Sequence, residues 1–149
     1  MKIAIGSDHA GFAYKEEIKL FLNRNHHEYI DFGTKTIDST DYPLYAIKVG
    51  QAVSNKDADL GILICGTGIG MSIAANKVKG IRAAACQTAV CAQATREHNN
   101  ANVLCVGSRT NTMDEVLELV ELFITTPYSN GERHQKRVEL IKKYEEEQK

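Results

Sequence analysis

Residues 60–65 read LGILIC and lead directly into Gly66-Thr67-Gly68-Ile69-Gly70. A continuous apolar run of this kind, closed by glycines, describes a strand buried on both faces. Such a strand needs cover above and below, and the rest of the chain supplies it in alternation. Lys2–Gly6 reads as a second buried strand, and Phe12–Asn25 carries apolar residues at 14, 18, 21 and 22, the spacing of a helix. Tyr29–Phe32 is a weaker strand, Asp38–Pro43 a polar turn region and Leu44–Val53 a helix. Beyond the 60–65 strand come a helix over Ile69–Lys77, a strand over Ile81–Cys86, an Ala-rich helix over Thr88–Glu97 and a strand over Val103–Gly107. Thr112–Thr125 is a helix opened by a capping-box pair, Thr112 and Glu115, and Glu132–Glu147 is a last, highly charged helix.

Strands that alternate with helices and are apolar throughout form a parallel sheet covered on both sides. The expected fold is therefore α/β, a three-layer α/β/α sandwich around a five-stranded parallel sheet, Rossmann-like, with the strand order left open. The 149 residues are expected to make one domain over 1–149, since no repeat or linker interrupts them. A chain of this size buries roughly 70% of its unfolded surface, enough to need no disulfide or metal staple.

The charge balance is 18 basic against 19 acidic residues, which argues against nucleic acid or an anionic membrane as partner. No apolar run approaches the ~20 residues that span a bilayer. The first apolar segment breaks at Gly6-Ser7-Asp8-His9, so it does not read as an export signal, and the expected location is the cytoplasm. Cysteines stand at 65, 86, 91 and 105 without a CxxC pair or a zinc-type His spacing, so reduced thiols and no metal are expected. Cys86, Cys91 and Cys105 read as small core residues, whereas Cys65 opens the glycine-rich turn.

Ligands of such sheets bind at the C-terminal ends of the strands. Ser7-Asp8-His9 follows the first strand, Cys65–Gly70 the third and Gly107-Ser108-Arg109 the fifth, so all three fall on one edge. Glycines between a strand and a helix let backbone N–H groups converge on an anion. The loop has neither the Walker spacing nor GxGxxG, and its plain alternative is a tight turn. Cys65 beside a helix N-terminus suits a thiolate, acting as nucleophile or as base; the alternative is a core cysteine. Asp8 reads as a titratable group or a helix N-cap, and His9 as an anion ligand or an incidental residue. His26 and His27 read as surface residues at a helix end.

His98-Asn99-Asn100 closes the Ala-rich helix, where an Asn commonly takes the left-handed cap. That helix is ~15 Å long, so His98 falls on the opposite edge of the sheet from Cys65. A role for His98 in chemistry at Cys65 therefore calls for a second copy of the chain. Arg133 and Arg137 are four apart on one helix face, with His134 between them. Two guanidiniums so placed suit a phosphate dianion, and the alternative is an ordinary solvated face.

GSDHAGF at the start, TDYP at 40–43, ICGTGIGMSIAANK at 64–77, REHNNANVLCVGSR at 96–109 and RHQKR at 133–137 together resemble the type B ribose-5-phosphate isomerases. The wider family includes galactose- and allose-phosphate isomerases, and the resemblance runs through essentially the whole chain. It implies a cofactor- and metal-free aldose–ketose isomerase acting on a sugar phosphate through an enediolate. On the matching positions, Cys65 would be the base and His98 would open the sugar ring. Asp8 would assist that opening or orient hydroxyls, and Thr67 would bond the O1/O2 edge. The backbone of Gly66, Gly68, Ile69 and Gly70 would hold the oxyanion. His9, Arg109, Arg133, His134 and Arg137 would hold the phosphate, and Tyr42 and Asn99 would line the sugar site. Relatives that lack the cysteine carry a Glu where this chain has Met71, which places it on the cysteine-base branch. The resemblance also implies a homodimer, or a dimer of dimers, with sites shared between subunits and the helix over about 131–147 packed on the partner. Allose 6-phosphate, galactose 6-phosphate, a non-catalytic phosphosugar- or nucleotide-binding module, and a Cys65 nucleophile paired with His9 stand as the alternatives.

Overall fold

A computed structural model describes residues 1–148. Five parallel strands form the sheet: β1 (Lys2–Ser7), β2 (Glu28–Asp31), β3 (Leu60–Cys65), β4 (Ala83–Ala85) and β5 (Val103–Gly107), in the order β2-β1-β3-β5-β4. The helices are α1 (Phe12–Arg24), α2 (Tyr42–Ser54), α3 (Ile69–Ala75), α4 (Ala89–Asn99), α5 (Met113–Thr125) and α6 (Glu132–Glu147). No helix among the described residues is long and apolar enough to cross a membrane.

The pleat sorts the strand residues into two cores. Ile3, Ile5, Ile62, Ile64, Leu104 and Val106 pack with Ile18 and Leu22 of α1 and with Val116, Leu119 and Phe123 of α5. Ala4, Leu63, Cys65, Val103 and Cys105 pack on the other face with Val49 and Val53 of α2 and Met71 and Ala75 of α3. Cys65 thus faces the α2–α3 layer. Neighbouring β1 and β3 lead off in opposite directions along the sheet, which makes their C-terminal ends the switch-point crevice of the fold.

Several expectations shift in detail. β4 is only Ala83–Ala85; at Arg82 the main-chain N–H donates to the Asn102 side-chain oxygen instead, while the Asn102 amide donates to the Gly80 carbonyl and the Arg82 guanidinium to the Asn100 carbonyl. α2 begins at Tyr42, with Pro43 in its first turn, and α3 stops at Ala75. Cys91 is exposed: it lies on the outer side of α4, whose buried residues are Ala92 and Thr95, so it is no core residue. α1 ends at Arg24; His26 is exposed with φ 61°, and His27 is half-buried rather than on the surface. The capping box of α5 forms, and Asn100 takes the left-handed cap of α4.

Candidate active site

Three strand ends build one edge of the site. After β1, Asp8 is almost fully buried and its Oδ1 accepts the Gly11 N–H at 3.2 Å, capping a single 3-10 turn over His9–Gly11. His9 accepts the Thr40 N–H on Nδ1 at 3.2 Å, which fixes the orientation of its ring. After β3, Cys65 is 6% exposed and its sulfur accepts the Gly68 N–H at 3.1 Å. Gly68 stands at φ +80°, a conformation that turns its N–H back onto the sulfur and that L side chains rarely adopt. Thr67 is exposed, and its Oγ1 accepts the Ile69 N–H at 3.3 Å. Gly68 and Ile69 thus already spend their N–H groups within the loop.

β5 braces this loop from the side. Ser108 N–H donates to the Cys65 carbonyl and Arg109 N–H to the Gly66 carbonyl, both at 2.9 Å. The Arg109 side chain lies across Gly66, where a Cβ would come within 2.8 Å of its guanidinium. From α2, the Tyr42 ring covers Gly70, where a Cβ would meet it at 2.6 Å. Asp8, His9, Tyr42, Cys65, Thr67, Arg109 and the Gly66–Gly70 backbone therefore share one edge.

The remaining candidates gather at the other edge. His98 and Asn99 lie in the last turn of α4, and Arg133, His134 and Arg137 in the first turns of α6. The His98 and His134 rings stack at 4.4 Å between centroids and 10° between planes. Arg96 fixes the end of α4: its guanidinium donates to the Asn100 Oδ1 and the Ala101 and Thr126 carbonyls, and lies over the Phe123 ring. Ser129 N–H donates to the Glu97 carbonyl and ties the start of α6 to the same turn. His134 is held below its ordinary pKa by partial desolvation and by the charges of His98, Arg133 and Arg137, with Glu97 opposing. His98, Arg133, His134 and Arg137 give this edge four cationic or protonatable side chains, with Glu97 and Glu132 beside them, a set whose chemistry suits a dianion.

Residue-type reasoning missed Thr40, although it opens the TDYP segment; its N–H orients His9 and its hydroxyl meets the Tyr45 OH at 2.8 Å. It also missed Lys15, which α1 buries beside Ile18 and Leu22. The signal was available, since 15, 18 and 22 fall on one helical face.

The chain is similar to known proteins over nearly its whole length. The chain is 49% identical to the ribose-5-phosphate isomerase B of Escherichia coli over 140 residues, 94% of this chain and 93% of that one. It is 41% identical to the ribose-5-phosphate isomerase B of Mycolicibacterium paratuberculosis, over 97% of this chain and 92% of that one. Among solved structures, ribose-5-phosphate isomerase B of Clostridium thermocellum superimposes with a TM-score of 0.96 at 48% identity, covering 98% of both chains. The enzyme of Mycoplasma genitalium, solved with bound ribulose 5-phosphate, superimposes with a TM-score of 0.94 at 43% identity, covering 99% of this chain and 97% of that one. A sequence model described as Ribose/Galactose Isomerase matches residues 3–141, and with these relatives it shows that the chain belongs to the ribose/galactose isomerase family.

Proposed function

We propose that this chain interconverts D-ribose 5-phosphate and D-ribulose 5-phosphate, with Cys65 as the base. The carrying observation is the Cys65 sulfur, held at the strand end by the Gly68 N–H inside a loop whose Gly66, Thr67 and Gly70 N–H groups have no partner among the described residues. His98 moves a proton from the anomeric hydroxyl to the ring oxygen, and the ring opens to the aldehyde. Asp8 assists that step or orients the hydroxyls. The Cys65 thiolate takes the proton from C2, the electron pair forms the C1–C2 double bond, and the carbonyl pair moves onto O1. The loop N–H groups and Thr67 hold that enediolate charge, as an oxyanion hole does. Reprotonation at C1 by the Cys65 thiol, with the O2 proton passing to O1, gives the ketose with no net oxidation. His9 and Arg109 on one side, and Arg133, His134 and Arg137 on the other, bind the phosphate, with Tyr42 and Asn99 against the sugar.

The two groups of residues stand on opposite edges of one sheet, so the complete site forms between two copies. α6 supports this reading, since it has no buried residue and leaves Leu140, Ile141 and Tyr144 exposed along its length. The site residues also fit the metal-free chemistry of the scheme. Cys65→Ala tests the assignment: turnover and C2-proton exchange with solvent should fall about 10²–10⁴-fold, the contribution of a general base. Sulfate binding should persist. Near-normal exchange in that variant removes Cys65 from the role.

A further inference from the structure

Lys15 is 1% exposed, yet it carries a charge in the middle of the apolar face of α1. Its ammonium reaches Asp31 Oδ2 at 2.6 Å and Glu16 Oε2 at 3.1 Å, and Lys19 joins both carboxylates at 2.9 and 2.8 Å. The other Asp31 oxygen, Oδ1, accepts the Gly33 N–H at 2.8 Å. Gly33 and Thr34 in turn grip the end of β1: Ser7 N–H donates to the Gly33 carbonyl at 2.6 Å, and Thr34 N–H donates to the Ser7 carbonyl at 2.7 Å. Asp8 and His9 are the next two residues. The same loop closes back on His9 through Thr40, and the Tyr45 ring that bonds the Thr40 hydroxyl lies against Gly33.

A buried ion pair is weak evidence for stability, because apolar side chains of the same size often serve as well. What this pair supplies that apolar residues do not is a carboxylate fixed in orientation toward the Gly33 N–H. We propose that Asp31, its charge balanced by Lys15, is a positioning residue for the isomerisation, its side-chain oxygen holding Asp8 and His9 in place through Gly33, Thr34 and the loop that ends at Thr40. This inference rests on the reading of Asp8 and His9 as parts of the site.

Two charge-free pairs of substitutions test it. Lys15→Met/Asp31→Asn keeps an oxygen for the Gly33 N–H, while Lys19 retains Glu16. Lys15→Met/Asp31→Leu removes the oxygen at similar size. The Asn pair should hold kcat within about threefold of the parent. The Leu pair should lose tenfold or more, as small misplacements of site groups do. Imidazole nitrogen NMR should show the His9 Nδ1 signal moved in the Leu pair only, at thermal midpoints similar between the two pairs. Lys15→Met/Asp31→Ala repeats the test without added bulk. Equal kcat and an unmoved His9 signal in all pairs overturn the proposal, as does failure of both acceptor-free pairs to fold, which assigns the residues to stability. An inactive parent protein would instead sink the isomerase reading, and the His9 signal would still report on the loop.

Discussion

Mixing two inactive variants gives a quantitative test of the shared site. Cys65 pairs with Gly107 at the end of β5, whereas α4 delivers His98 beside the start of that strand, near Ala101 and Asn102. Four steps along β5 amount to roughly 13 Å, and an acid or base must come within about 3 Å of the proton it moves. One chain therefore cannot bring both residues to one sugar carbon framework at bonding distance. On the proposed two-copy site, each site would take Cys65 from one copy and His98 from the other. Cys65→Ala and His98→Asn homodimers should each lose about 10²–10⁴-fold in turnover. Refolded together in equal amounts, they form mixed dimers for half of the total, and each mixed dimer has one intact site. Recovered activity should then be about one quarter of the parent's per site, by the symmetry of an isologous pair. Ketose formation from ribose 5-phosphate, followed before and after mixing, reads this directly. Activity no greater than the sum of the separate variants, with mixed dimers confirmed by native mass spectrometry, would refute the two-copy site.

Three further outcomes follow from the geometry. Gly70→Ala drives a methyl group into the Tyr42 ring; overpacking of this kind costs about 1–3 kcal/mol, and the half-exposed ring yields, so KM should rise more than kcat falls in steady-state assays. Burial pushes the Asp31 carboxyl up, but hydrogen bonds from Lys15, Lys19 and Gly33 outweigh it and hold it below its ordinary value, as the two lysines do for Glu16. Their stabilisation is present above the unfolded pKa of about 4 and is lost as pH falls through the lowered folded values, so the thermal midpoint should drop more steeply in acid than in Lys15→Met/Asp31→Asn. His134, held below its ordinary pKa, gains charge as pH falls, so sulfate, a dianion throughout, should inhibit more strongly in that direction and His134→Gln should weaken the trend.

Much of the site was legible because glycine spacing and strand-end position are local properties. LGILIC followed by CGTGIG places a thiol and a convergent backbone together whatever the strand order. Helix length alone put His98 at the far edge. The stacking of His98 on His134 was not legible, since it depends on where α6 settles after the Thr126–Asn130 connection, a matter of tertiary contact. Lys15 was passed over for a different reason: its helical position shares a face with Ile18 and Leu22, but only the carboxylates of Asp31 and Glu16 make its burial tolerable, and their placement is a tertiary matter. The exposure of Cys91 likewise depends on which side of α4 meets the sheet.

The seam between β3 and β5 has a consequence for selectivity. Ser108 and Arg109 occupy the carbonyl oxygens of Cys65 and Gly66, so these two lone-pair-bearing groups of the turn are drawn sideways into the sheet. What the backbone of the turn has left to offer, at Gly66, Thr67 and Gly70, is hydrogen-bond donors. A ligand that accumulates negative charge on adjacent oxygens meets those donors, with the Cys65 sulfur beside them. The preference for a developing anion over its neutral parent is in this sense written partly into peptide polarity.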